Sequence, residues 1–211
     1  MKLLTKKEKL EIHKLLLELY PHRRCALEYS TPFELLVASR LSAQCTDVRV
    51  NIVTEELFKK YSKPEDFAEL SVKQLEPMIR SCGLGNTKAR DIIAASKKVI
   101  ELGGIPDTME GMLSIPGIGR KIANLLLGEI FEQPGVIIVD THCIRLANRM
   151  GFVSEKDPKK IETELRKVIP PDESLDFCHA IVFHGRQVCS ARNPDCENCR
   201  LSGLCKKYIP E

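Results

Sequence analysis

A chain of 211 residues with 43% hydrophobic and 29% charged residues holds enough apolar material for one large core or two small ones. No apolar run approaches the roughly 20 residues of a membrane span, and the first ten residues carry five charges with no apolar h-region, so neither a membrane protein nor a secreted one is expected. The formal charge is +3 and drops to roughly +1 if four thiolates hold a metal core of about +2, so a nucleic-acid partner must be read from where basic residues cluster.

In chain order the signals are helical. Ile12, Leu15, Leu16 and Leu19 repeat at helical spacing and stop at Pro21. Thr31-Pro32-Phe33-Glu34 has the form of a capping box with proline at the first helical position, opening a helix through Leu41. Asp47 is placed to cap the next helix, with Val50, Val53 and Leu57 on its apolar side, and Ser71 opens another carrying Leu75, Met78, Ile79 and Cys82. Asn86 is expected to cap the run holding Ile92, Ile93, Val99 and Ile100, which ends at Gly103-Gly104. Further helices are expected over Asp107 to Leu113, Arg120 to Phe131, Asp140 to Met150, Asp157-Pro158 to Val168, and Asp172 to about Val188. Only Val136 to Val139 has strand character, and one short apolar run cannot build a sheet. The expected fold is therefore all-α, with the best internal boundary at Pro134-Gly135.

Three motifs carry chemistry. Cys189, Cys196, Cys199 and Cys205 stand in the spacing C-x6-C-x2-C-x5-C. Four thiols on one short stretch can close around zinc or an iron–sulfur cluster. Only Cys196 and Cys199 form a zinc-like knuckle, which favours a cluster, and a disulfide pairing would need an oxidising compartment. Cys25, Cys45, Cys82, Cys143 and Cys178 stand singly among apolar residues, as packing cysteines do. The second motif is Leu113-Ser114-Ile115-Pro116-Gly117-Ile118-Gly119-Arg120-Lys121, two helices joined by a Pro-Gly-x-Gly turn. Its glycines allow positive φ and close approach, and the amides opening the second helix form an anion site with the helix dipole behind it. A DNA phosphate fits there, although such a turn also serves as a plain connector between helices. The third is Gly135-Val136-Ile137-Ile138-Val139-Asp140-Thr141-His142, an apolar run that delivers a carboxylate to a helix start, where an ordinary N-cap would also stand.

Taken together, LSAQCTD (Leu41 to Asp47), IPGIGRKIAN (Ile115 to Asn124), VDTHCIRLANR (Val139 to Arg149), FHGRQVC (Phe183 to Cys189) and the four terminal cysteines resemble the endonuclease III family of helix-hairpin-helix DNA glycosylases. The resemblance spans nearly the whole chain. It implies base-excision repair by a bifunctional DNA N-glycosylase and AP lyase acting on oxidised pyrimidines and abasic sites in duplex DNA, in a monomeric cytoplasmic protein associated with the nucleoid. It implies a six-helix domain with the hairpin over 25–135, a second domain from 1–24 and 136–211 holding a [4Fe-4S] cluster on Cys189, Cys196, Cys199 and Cys205, and DNA running across the cleft between them.

By the same resemblance Lys121 is the nucleophile that attacks C1′ and forms a Schiff base, from which β-elimination nicks the strand, and Asp140 stabilises positive charge developing on the sugar. Extruding a base leaves a gap in the stack. Gln44 and Leu84 match the family's polar plug and apolar wedge, and Gly117, Gly119, Arg120, His142, Arg145 and Arg192 fall at its DNA-contacting positions. Three positions depart from the pattern: Gly85 replaces an aromatic residue after the wedge, Leu113 replaces a glutamate near the hairpin, and Arg192 is the one basic residue in a loop that is usually more basic. Two other classes compete. A mismatch glycosylase of the same superfamily would generally lack the lysine, and a non-catalytic hairpin protein with structural zinc would be colourless.

Overall fold

The computed structural model describes residues 3–206, and every regular element within them is helical. The chain runs α1 (Lys6–Leu19), α2 (Pro32–Leu41), α3 (Asp47–Phe58), α4 (Pro64–Ala68), α5 (Val72–Ile79), a 3-10 turn at Arg80–Cys82, α6 (Gly85–Glu101), α7 (Met109–Leu113), α8 (Arg120–Phe131), α9 (Thr141–Met150), α10 (Pro158–Arg166), a second 3-10 turn at Pro171–Glu173, and α11 (Ser174–Gln187). The all-α expectation holds: Val136 to Val139 is buried without pairing to any strand among the described residues. No helix there is long and apolar enough to cross a membrane.

Helix starts follow capping chemistry, with shifts of one or two residues from the sequence expectation. Thr31 Oγ1 accepts from Glu34 N at 3.1 Å, but Glu34 reaches past the expected box to Ser30 N at 2.6 Å. Ser71 and Gln74 pair as expected, with Ser71 N donating to Gln74 Oε1 at 2.9 Å. Thr46, one residue before Asp47, caps α3, and Thr108, one residue after Asp107, caps α7; each hydroxyl accepts from the amide three residues further on. Asn86 falls inside α6, since Gly83 and Leu84 turn through positive φ and start the helix at Gly85. α4 joins the six helices read from this part of the sequence. Five residues give no periodic signal, and its start is held by Asp66 Oδ2 accepting from the amides of Ser62 and Lys63 at 3.0 Å.

The chain divides into two compact units: Cys25–Glu132, and the segment up to Arg24 joined with the segment from Gln133. The first is built around α2, of whose ten residues eight are buried. A helix buried on nearly every side is a central helix, and α3, α6 and α8 pack on it, with α4 and α5 against α6 and α7 against α8. Leu35, Leu36, Val50, Phe67, Leu75, Ile79, Ile92 and Leu126 form its core. In the second unit α1 and α9 pack on α11, and α10 on α9, around Ile12, Leu16, Leu146, Phe152, Phe177 and Ile181. Arg23 with Asp176 and His13 with Glu173 tie the α1 region to α11 and the turn before it.

Candidate functional site

In the unit Cys25–Glu132 the hairpin turn between α7 and α8 is anchored from inside. Ile115 and Ile118 are buried, and Ile118 N donates to Ile115 O at 3.2 Å to close the turn. Gly117 takes φ +77°, and a Cβ there would lie 2.8 Å from Asp91 Cβ and 3.1 Å from Arg40 Nε, so both conformation and space demand glycine. Those neighbours are themselves an ion pair: Arg40 Nε donates to Asp91 Oδ2 at 2.9 Å and its Nη2 reaches the same oxygen. Gly119 differs from expectation, with φ −100° and no heavy atom within 4 Å of an added Cβ. What its glycine leaves is open space before α8, where no side chain caps the helix. The backbone amides of the first turn therefore face that space. Arg120 is the first residue of α8 and half-buried; Lys121 is the second and exposed, on a helix whose next turns bury Ala123 to Gly128.

Two more loops of this unit stand out. Gln44, between α2 and α3, takes φ +55°; Leu84, between the 3-10 turn and α6, takes φ +53° and is 54% exposed. Left-handed conformation costs a non-glycine residue about 1–2 kcal/mol, and such strain concentrates where a side chain must be aimed. Gly85 is helical rather than left-handed. A Cβ there would sit 2.9 Å from Glu76 Oε1 and 3.4 Å from Arg80 Cα. Glu76 in turn accepts from Arg80 Nε at 3.0 Å and Nη2 at 2.8 Å, so this pair fills the space next to residue 85 that a larger side chain would need.

In the other unit, the buried run Val136 to Val139 is fixed by Ile138 N donating to Cys178 Sγ at 3.1 Å and Gly135 N to Pro171 O at 2.9 Å. It delivers Asp140 as N-cap of α9. Asp140 Oδ1 accepts from Cys143 N at 2.8 Å, and Oδ2 from His142 Nδ1 at 3.0 Å. Both carboxylate oxygens are thus oriented by α9 itself. Gly185 of α11 makes room, since a Cβ there would meet His142 Cδ2 at 2.8 Å and Arg145 Nη2 at 2.9 Å. Arg145 turns its guanidinium onto the end of α11, donating to the carbonyls of Gly185 and Cys189 at 3.0 and 3.1 Å. Arg192 lies exposed in the loop between the first two terminal cysteines.

Cys189, Cys196, Cys199 and Cys205 line a single pocket together with Met150, Val188, Pro194 and Leu201. Among the described residues no three His, Cys, Asp or Glu side chains converge as ligands of one metal ion would. Burial pushes the Cys199 thiol up, and the charges of Cys205, Cys189 and Cys196 act in the same direction, so each of these three lies within electrostatic reach of Cys199. Sequence reasoning missed two supports. Arg149 Nη1 and Nη2 donate to Ser190 O and Ala191 O, each at 2.6 Å, and Nη1 lies 3.6 Å from Cys189 Sγ. His184 Nε2 is 3.7 Å from Cys199 Sγ while its Nδ1 meets Tyr20 OH at 2.9 Å; burial holds this imidazole down at about 4, so it stays neutral. The legible signal was the i, i+4 spacing of Arg145 and Arg149, which puts both on the α9 face toward the cysteine loop. Of the scattered cysteines, Cys82, Cys143 and Cys178 are buried and Cys25 and Cys45 half-buried.

Residues 37–171 match the HhH-GPD superfamily of base excision DNA repair proteins. Endonuclease III of Synechocystis sp. is 42% identical over 207 residues, 97% of this chain and 94% of that protein. A solved endonuclease III in a non-covalent complex with DNA superposes with a TM-score of 0.93 at 38% identity, over 97% of each chain. An endonuclease III–DNA covalent intermediate, trapped with an estranged adenine, matches at the same score, identity and coverage. On the match over residues 37–171 and the identity to endonuclease III over nearly the whole chain, this protein belongs to the endonuclease III family of the HhH-GPD superfamily.

Proposed function

We propose that the protein excises oxidised pyrimidines from duplex DNA and then cleaves the strand at the resulting abasic site, with Lys121 as the nucleophile. It is a base-excision-repair enzyme, a DNA glycosylase with AP lyase activity. The observation that carries the residue assignment is Lys121 itself: an exposed amine in the first turn of α8, beside the open face of Gly119, in a chain similar over nearly its full length to an endonuclease III held covalently on DNA. The amine attacks C1′, the glycosidic bond breaks with the departing base taking a proton, and the sugar opens to an imine. Loss of a proton from C2′ then expels the 3′ phosphate by β-elimination. The uncapped α8 amides and Arg120 hold phosphate. Asp140 supports positive charge at the sugar, and His142 and Arg192 contact the backbone. Arg145 and Arg149 act instead by holding the cysteine loop against α9. We place the enzyme in the cytoplasm, where its nucleoid DNA substrate lies.

The four cysteines fit a [4Fe-4S] cluster by donor chemistry and by the pocket they share, and the single zinc-like knuckle of Cys196 and Cys199 favours a cluster over zinc. When bound, the cluster supplies four iron–thiolate bonds that staple residues 189 to 205 into one fold. Arg149 and neutral His184 stand beside the thiols of Cys189 and Cys199, which would hold the cluster.

A single-turnover assay on duplexes with one thymine glycol, paired or mismatched, tests the substrate class and the wedge together. Wild type is expected to release the base and leave the β-elimination end on both. Leu84→Ala stabilises the extruded state less, so its loss is expected to be roughly tenfold greater on the paired duplex than on the mismatched one, where stacking is already weak. Equal losses would mean that Leu84 fills no gap; excision of undamaged thymine at the same rate would remove the lesion assignment. Asp140 is separable in the same way. Asp140→Asn keeps an oxygen for Cys143 N, so thermal unfolding is expected to stay near wild type while excision drops on the order of a hundredfold, whereas Asp140→Ala also loses the cap, about 1 kcal/mol of stability.

A further inference from the structure

Lys88 is fully buried in the first turn of α6. Lysine is almost never buried without partners, and the partners here are two backbone carbonyls. Its Nζ donates to Leu41 O at 2.7 Å and to Cys82 O at 2.8 Å. Burial lowers its pKa, and the neighbouring Cys82 and Cys45 oppose that shift.

The two carbonyls close the two elements that precede the left-handed loops. Leu41 is the last residue of α2, three before Gln44; Cys82 ends the 3-10 turn, two before Leu84. The lysine's own amide also donates to Leu84 O at 3.0 Å, so its backbone fixes the exit of the Leu84 loop while its side chain fixes the entry of both. α3, into which the Gln44 loop leads, packs on the 3-10 turn, so the two loops are neighbours in one unit. Each holds one exposed non-glycine residue at positive φ, a conformation that persists only when its surroundings over-determine it. A compact ammonium with three donors can satisfy both carbonyls from within the core.

We propose that Lys88 is a positioning residue for base extrusion: by tying together the backbone ends ahead of the Gln44 and Leu84 loops, it holds plug and wedge as one preformed element that enters the duplex together. Preformation reduces the ordering cost that two independent loops would meet on insertion. The role rests on the gap-filling reading of Gln44 and Leu84.

The test uses Lys88→Met in the full-length, cluster-loaded protein, since methionine fills the volume without donating. Hydrogen–deuterium exchange is expected to rise by about tenfold or more over residues 42–46 and 83–87 together, with α8 and α11 unchanged. Single-turnover excision is expected to drop more on a paired thymine-glycol duplex than on a mismatched one, and this selective loss is expected to vanish when Lys88→Met is added to Leu84→Ala. Faster exchange in one loop alone, in neither, or throughout the unit overturns the proposal, as do equal losses on both duplexes. If Lys88→Met does not fold, Lys88→Gln, which keeps an amide donor, is expected to give the same pattern with smaller amplitude; failure of both to fold assigns the lysine to the core alone and overturns it. The exchange result is independent of catalysis, so a wedge reading lost on Leu84→Ala is distinguishable from a failure at Lys88.

Discussion

Cys199→Ser is expected to give a colourless, poorly soluble protein whose segment from Cys189 onward is cut by protease under conditions that leave the wild type whole. Over residues 189–206 the backbone is held by turns, such as Asp195 N to Val188 O at 3.0 Å and Cys205 N to Leu201 O at 2.9 Å, and only Leu201 is buried. One buried leucine contributes ~1.5–3 kcal/mol, about what it costs to order two residues. A segment this poor in core is expected to depend on the proposed cluster, whose binding would then be part of folding. The loss should spread inward, because Lys206 N donates to Met150 O and Arg149 holds the Ser190 and Ala191 carbonyls. Visible absorbance, sedimentation and limited proteolysis read the outcome. A Cys199→Ser protein that folds, resists protease and excises bases without metal would remove the structural role of the site.

Much of this architecture was legible because it rests on short-range chemistry. Arg120 to Phe131 was read as one helix from the Pro-Gly-x-Gly turn before it, and Asp140 as a helix start, because turn and cap residues act within three or four positions of themselves. The five residues of α4 escaped for the opposite reason: a single turn has no period to read. Gly119 was expected to turn the chain and instead leaves space, a distinction that depends on neighbours brought by α2 and α6 to Gly117 but not to Gly119. Arg145 stood in the sequence as one more cation near a DNA site, and only the packing of α9 on α11 turns its guanidinium to the Gly185 and Cys189 carbonyls. Lys88 carried no sequence signal at all, since a lysine in an amphipathic helix is normally on the wet face.

Lys121→Ala is expected to lower both base release and strand cleavage by roughly a thousandfold or more, the scale on which removing a covalent nucleophile acts. Stability should change little, because Lys121 is exposed and alanine is the best helix former. Binding to a lesion duplex should drop only by the contribution of one charge, and Arg120 and the α8 amides remain to hold phosphate. That combination, near-intact folding and binding with chemistry abolished, separates a nucleophile from a phosphate contact. A phosphate-contacting lysine would instead weaken binding to every sequence and flatten its salt dependence by about one unit of slope.

The most direct measurement is to reduce the reaction on a thymine-glycol duplex with borohydride, digest the cross-linked protein, and identify the residue that carries the sugar remnant by mass spectrometry. The adduct is expected on Lys121 in the wild type, at high yield, and to be absent from Lys121→Ala. A remnant mapped to any other amine, or an undiminished adduct in the Lys121→Ala protein, would contradict the assignment of Lys121 as the nucleophile.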